Sequence, residues 1–156
     1  MGELFGSIYC WFEEFFGIEL ANYLWGQSSP LSQTNSYIGI GWTMLGISLA
    51  IVLIFYYAIN HPRLNHWWGW GIFLMVNALI NFIVGWQLVL KDYYGGKMVT
   101  IDPATDLQIP LNIGGAEIIC FGVSNMFLSV LAFIVFTFIF KWRSPNLNSQ
   151  YGNRRT

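Results

Sequence analysis

Charge is what this chain has least of. Asp, Glu, Lys and Arg make up 10% of its 156 residues, against 55% apolar and 19% aromatic. Such a chain cannot cover a water-soluble sphere with polar side chains, so lipid must be the solvent for much of it. Seven basic and eight acidic residues leave a net charge of -1, with no dense basic run, and nucleic-acid binding is thereby discarded. Cysteine is scarce as well. Cys10 and Cys120 form neither a CxxC nor a ligand cluster and read as small apolar residues. The two histidines, His61 and His66, share one short turn, and no apolar run contains a histidine for axial ligation across a bundle. They read as surface residues and are weak candidates for a metal, haem or pigment ligand. The chain shows no phosphate-cradling glycine loop, paired carboxylates or nucleophile with its base, so an enzyme is not the expectation and no motif implies a cofactor. The opening MGELFGS lacks a basic n-region and a small-residue cleavage site, which reads as a retained N-terminus. Gly6 stands where a myristoylation signal needs Ser or Thr, which argues against lipidation.

What is present is three long uncharged stretches. Ile118 to Phe140 runs without a charge and is closed by Lys141, Trp142 and Arg143. As a helix it would measure roughly 34 Å, against about 30 Å for a hydrocarbon core. Residues 37–59, 67–90 and 117–140 therefore predict three membrane-spanning helices in an all-α integral membrane protein. The turn at 60–66 is so short that it forces the first two into an antiparallel hairpin. WWGW at the start of the second puts Trp67, Trp68 and Trp70 at headgroup level.

Residues 3–25 predict an amphipathic helix ahead of these spans. Leu4, Phe5, Ile8, Trp11, Phe12, Phe15 and Phe16 fall on one side of a helical wheel, and Glu3, Gly6, Ser7, Cys10, Glu13, Glu14 and Gly17 on the other. Glu19 breaks the pattern, and Gly17 marks a place to bend. Two readings stand. A helix lying on the lipid surface is preferred, because burying Glu13 and Glu14 costs about 2.5 to 3.5 kcal/mol each. The alternative is a re-entrant or fourth spanning helix with those acids turned to a watery interior. Either way Glu13 and Glu14 are candidates for an ion entrance, as is Glu117 at the mouth of the third span, where the helix dipole also favours an acid.

Each span carries small or amide side chains at helical spacing. These are Gly39, Thr43, Gly46 and Ala50 in the first, Asn77, Asn81 and Gly85 in the second, and Gly122, Asn125, Ser129 and Ala132 in the third. Small stripes let helices approach closely in lipid, and an unpaired amide is costly in hydrocarbon. The pattern predicts one internal seam, built from Thr43, Asn77, Asn81, Asn125 and Ser129, that either packs helices or lines a polar passage. Between the second and third spans, the loop 91–116 holds KMVTI and LQIPL around DPATD, which predicts a small β-hairpin on the membrane surface. Its scattered acids show no cation-binding pattern and read as solvated surface.

Counting basic residues orients the chain. Arg63, Lys141, Arg143, Arg154 and Arg155 lie on one side and Lys91 and Lys97 on the other. The turn at 60–66 and the tail 141–156 are therefore expected on the cytoplasmic side of a bacterial inner or organellar membrane, with the 91–116 loop outside. Three functions fit. The first is a non-catalytic structural or accessory subunit of a membrane complex, associated with itself or with other membrane subunits. The second is an oligomeric channel or pore with the acidic N-terminal helix at its mouth. The third is an electron-transfer subunit holding a haem, pigment or quinone among the aromatics. A transporter is disfavoured by the absence of an internal repeat and of charges within the spans.

Overall fold

The computed structural model describes residues 2–27, 35–58, 67–102 and 104–141. The fold is mostly helical and has three helices long and apolar enough to cross a membrane. These are α4 (Ser36–Leu53, continued by a π-helical turn at Ile54–Ala58), α5 (Trp67–Tyr94) and α6 (Gly115–Lys141). Ahead of them lie α1 (Gly2–Tyr9), a 3-10 turn at Cys10–Phe12, α2 (Glu13–Phe16) and α3 (Ile18–Trp25). The hairpin strands β1 (Val99–Ile101) and β2 (Gln108–Pro110) sit between α5 and α6. His61, His66, Arg63, Pro103 and the tail beyond Lys141 lie outside the described residues.

Helix ends follow from backbone chemistry. Asn35 caps α4 by accepting from the Tyr37 N–H at 3.0 Å. α5 runs four residues past the expected boundary at 90 and stops in a Schellman motif. There the Lys97 N–H reaches Asp92 O and the Gly96 N–H reaches Tyr93 O, with Gly96 at φ 66°. Glu117 sits three residues after Gly114, and its carboxylate accepts the Gly114 N–H at 2.6 Å, half of a capping box for α6.

The long helices pack around α6. α5 lies antiparallel beside it: Trp70 donates to Thr137, Asn77 to the Ser129 carbonyl, and Asn125 back to the Asn81 carbonyl. Gly122 allows a close approach, because a Cβ there would sit 3.2 Å from the Phe82 carbonyl oxygen. α4 turns Tyr37, Ile40, Gly41, Met44, Ser48, Ile51 and Val52 inward. Large apolar side chains cover the outside too, among them Met75 and Leu79 on α5 and Phe127, Val135 and Phe138 on α6. Helices apolar all round fit burial in lipid better than water. Of the tryptophans expected at headgroup level, Trp68 is 83% exposed, whereas Trp70 turns inward against Phe133.

The N-terminal segment is a broken hairpin of helices. Gly17 at φ 97° ends α2 and starts α3, a conformation that a side chain would strain. Trp25 folds back so closely that a Cβ on Gly6 would meet its ring at 2.0 Å. The first limb runs alongside α6 in the opposite direction. Gly17 lies by Glu117, Tyr9 bonds Asn125, and Leu4 and Phe5 share a cavity with Leu131, Ala132 and Val135. That course lays the segment along the flank of α6, not across the end of the bundle.

The hairpin pairs as the sequence predicts, with Val99 opposite Pro110, Thr100 opposite Ile109 and Ile101 opposite Gln108. Asp102 organises the turn. Its carboxylate accepts from the Ala104 N–H at 3.0 Å and the Thr105 hydroxyl at 2.8 Å, and these bonds hold it below the usual carboxylate range. A lowered folded pKa means that the turn gains from the charge above the unfolded value and loses that gain as pH falls through the folded one. Amide NMR shifts of Ala104 and Thr105 should therefore stay constant from pH 7 to about pH 4 and move below it. Asp102→Ala should show the acid pattern already at pH 7.

Candidate functional site

The most distinctive constellation is a buried polar ladder between α1, α5 and α6. Asn77 and Asn81 stand one turn apart on the inward face of α5, and Asn125 and Ser129 one turn apart on α6. All four are essentially inaccessible. Asn81 Nδ2 donates to Asn77, at 3.0 Å to its carbonyl and 3.1 Å to its side-chain oxygen. Asn77 Nδ2 donates to the Ser129 carbonyl at 3.0 Å, and Asn125 Nδ2 to the Asn81 carbonyl at 2.7 Å. Gly85 makes room for the Asn125 amide, whose nitrogen would lie 2.7 Å from a Cβ at that position. Each of the three amide nitrogens thus donates to at least one neighbouring oxygen. The Asn81 side-chain oxygen and the Ser48 hydroxyl, both buried, lack a partner among the described residues.

Tyr9 closes the ladder from the N-terminal segment. Its hydroxyl donates to the Asn125 side-chain oxygen, and its ring packs on Tyr37 at 5.1 Å and Phe121 at 5.5 Å, which lie 6.4 Å from each other and close a three-ring cluster. The Tyr37 hydroxyl donates to the Ala21 carbonyl at 3.4 Å, which ties α3 to α4. Neither tyrosine was among the sequence-predicted residues. The signal was there: Phe5, Tyr9, Phe12 and Phe16 recur at spacings of four, three and four, and Phe5, Tyr9 and Phe16 are the buried edge of the segment. The apolar side of the wheel is in fact divided, since Leu4, Trp11 and Phe15 face outward.

Thr43 does not join the seam. It is exposed, with its hydroxyl turned back to the Gly39 carbonyl at 2.8 Å, and Gly39, Gly46 and Ala50 are exposed beside it. A Cβ added to Gly39 or Gly46 would meet nothing within 4 Å, whereas one on the inward-facing Gly41 would lie 2.3 Å from the Phe5 ring. The internal seam therefore draws on two of the three long helices, with Tyr9 as its third contributor.

The acidic candidates do not converge. Glu14 is exposed, and Glu13 is half-buried with its carboxylate hydrogen-bonded to the Cys10 thiol. Glu117 is held as a helix cap and backed by Gly17. No three His, Cys, Asp or Glu side chains among the described residues come together as a metal site. Physically the ladder can join helices, and its side chains are closed off from solvent.

Replacing Tyr9 by Phe removes a donor and leaves the Asn125 oxygen unpaired in the core. The expected loss is about 1 kcal/mol, and about 2 kcal/mol for Asn125→Ala, which also opens a cavity. Equilibrium unfolding in mixed detergent and lipid micelles would measure both. Comparison of the chain with known protein families, with curated proteins and with solved structures returns no match, so its own residues carry the functional argument.

Proposed function

We propose that this chain crosses a bilayer three times, dips its N-terminal hairpin of helices into the membrane as a re-entrant element, and serves as a non-catalytic structural subunit. Its lateral contact is α4. The observation that carries this reading is the outward stripe of Gly39, Thr43, Gly46 and Ala50. A glycine inside a helix costs about 1 kcal/mol relative to alanine, and nothing among the described residues needs the space at Gly39 or Gly46. A second membrane helix would use it. The 4-3-4 spacing is that of a heptad seam, which favours a long, shallow left-handed crossing. No charge lies between residues 36 and 57 to oppose such a contact. In this reading the basic-residue count places the 91–116 loop outside and the tail on the cytoplasmic side of a bacterial inner or organellar membrane.

The channel reading keeps one support, namely that Glu3 and Glu14 are exposed and could line a passage between copies. Planar-bilayer recordings separate the two. Cation currents that change on Glu14→Gln favour the channel, and silence across voltage and pH favours the subunit.

Gly46→Leu is the direct test. The leucine projects into open space, so the solubilised chain should melt at an unchanged temperature while association weakens by about 1 to 2 kcal/mol, roughly tenfold. Stoichiometry of the complex purified in mild detergent reads this out. Unchanged partners at unchanged stoichiometry would remove α4 as the contact.

A further inference from the structure

We infer that the groove between the loop-side ends of α4 and α5 binds one anionic phospholipid, its phosphate at Lys91 and an acyl chain along Gly39 and Thr43. The inference rests on the bilayer part of the reading above and not on subunit association. The groove measures about 400 Å³ and changes character along its length. Its mouth is formed by Asn35, Ser36, Lys91 and Asp92, and its depth by Gly39, Ile40, Thr43, Leu88 and Val89. Polar at one end and aliphatic at the other, it has the gradient of an amphiphile.

Charge at the mouth selects an anion. Asp92 is paired with Lys97 at 2.9 Å, and Lys91 has no ion pair among the described residues. The mouth therefore carries one net positive charge. It also faces the start of α4, where the helix dipole adds partial positive charge. Below, the floor suits an alkyl chain. Gly39 leaves open space, and the Thr43 hydroxyl is satisfied by the Gly39 carbonyl, so a hydrocarbon laid there strands no polar group. The groove takes in the Gly39 and Thr43 end of the outward stripe of α4 and stops short of Gly46 and Ala50, so the lipid leaves the Gly46 and Ala50 end of the stripe to a neighbouring helix.

The test uses the full chain, extracted from carbonate-washed vesicles into mild detergent and offered phosphatidylglycerol or phosphatidylcholine with identical acyl chains. Retained lipid is counted by native mass spectrometry. One phosphatidylglycerol should be held in preference to phosphatidylcholine by about fivefold, the effect of one lysine at a membrane surface. Lys91→Gln should bring the two lipids to parity, and Gly39→Leu should reduce retention of both without changing the melting temperature. Equal retention by the unmodified chain overturns the inference, as does a preference that survives Lys91→Gln. Retention that survives Gly39→Leu overturns the acyl-chain half. Failure of the chain to stay with carbonate-washed vesicles overturns the bilayer reading and this inference with it, whereas equal retention by vesicle-resident protein overturns the lipid site alone.

Discussion

A side-chain amide removed from water must find its hydrogen bonds among its neighbours, and in this chain the nitrogens of three such amides find acceptors in one another and in the backbone beside them. Much else follows. Asn77 reaches the Ser129 carbonyl, and Asn125 the Asn81 carbonyl, only because α6 lies close beside α5, which Gly85 and Gly122 permit. Asn125 uses its nitrogen on α5 and its oxygen on Tyr9, so the same side chain that joins two long helices also anchors the N-terminal segment. In water these bonds would compete with solvent. In the proposed bilayer they have no competitor for helices already inserted, and that gives the bundle its register.

The N-terminal segment shows how a short sequence can be folded back against a bundle without a continuous helix. Gly17 supplies the reversal, Gly6 accepts the returning Trp25 ring, and Gly41 accepts Phe5 on α4. Stacked rings of Tyr37, Tyr9 and Phe121 fill the junction where α1, α4 and α6 meet. Small residues therefore serve two ends here. Inside, they let aromatic and amide groups approach; on the outer face of α4 they leave space that none of the described residues fills.

Much of the fold was legible because it is written in composition. Three uncharged runs and the DPATD turn each have one physical outcome, and α4, α5, α6 and the hairpin follow them, although α5 runs past the expected boundary at 90 to stop at Gly95 and Gly96. The direction in which the small residues of α4 face was not legible. A stripe of Gly39, Thr43, Gly46 and Ala50 announces close helix packing but not whether the partner belongs to the same chain. The same ambiguity hid Tyr9. A tyrosine between phenylalanines reads as amphipathic edge until its distant acceptor, Asn125, is known. The pattern 3–17 likewise shows an amphipathic helix but cannot tell a lipid surface from the flank of α6, since both are apolar.

The central claim is that α5 stands in lipid with its amide face turned to α6 and its aliphatic face turned out. Spin labels placed one at a time from residue 75 to 83, in chain reconstituted into liposomes, measure this directly through collision with oxygen and with a water-soluble nickel complex. The account predicts oxygen accessibility that rises at Met75, Leu79 and Ile83 and falls at Ala78 and Asn81, with nickel contact low throughout. High nickel contact along the helix, or oxygen maxima at Ala78 and Asn81, would contradict it.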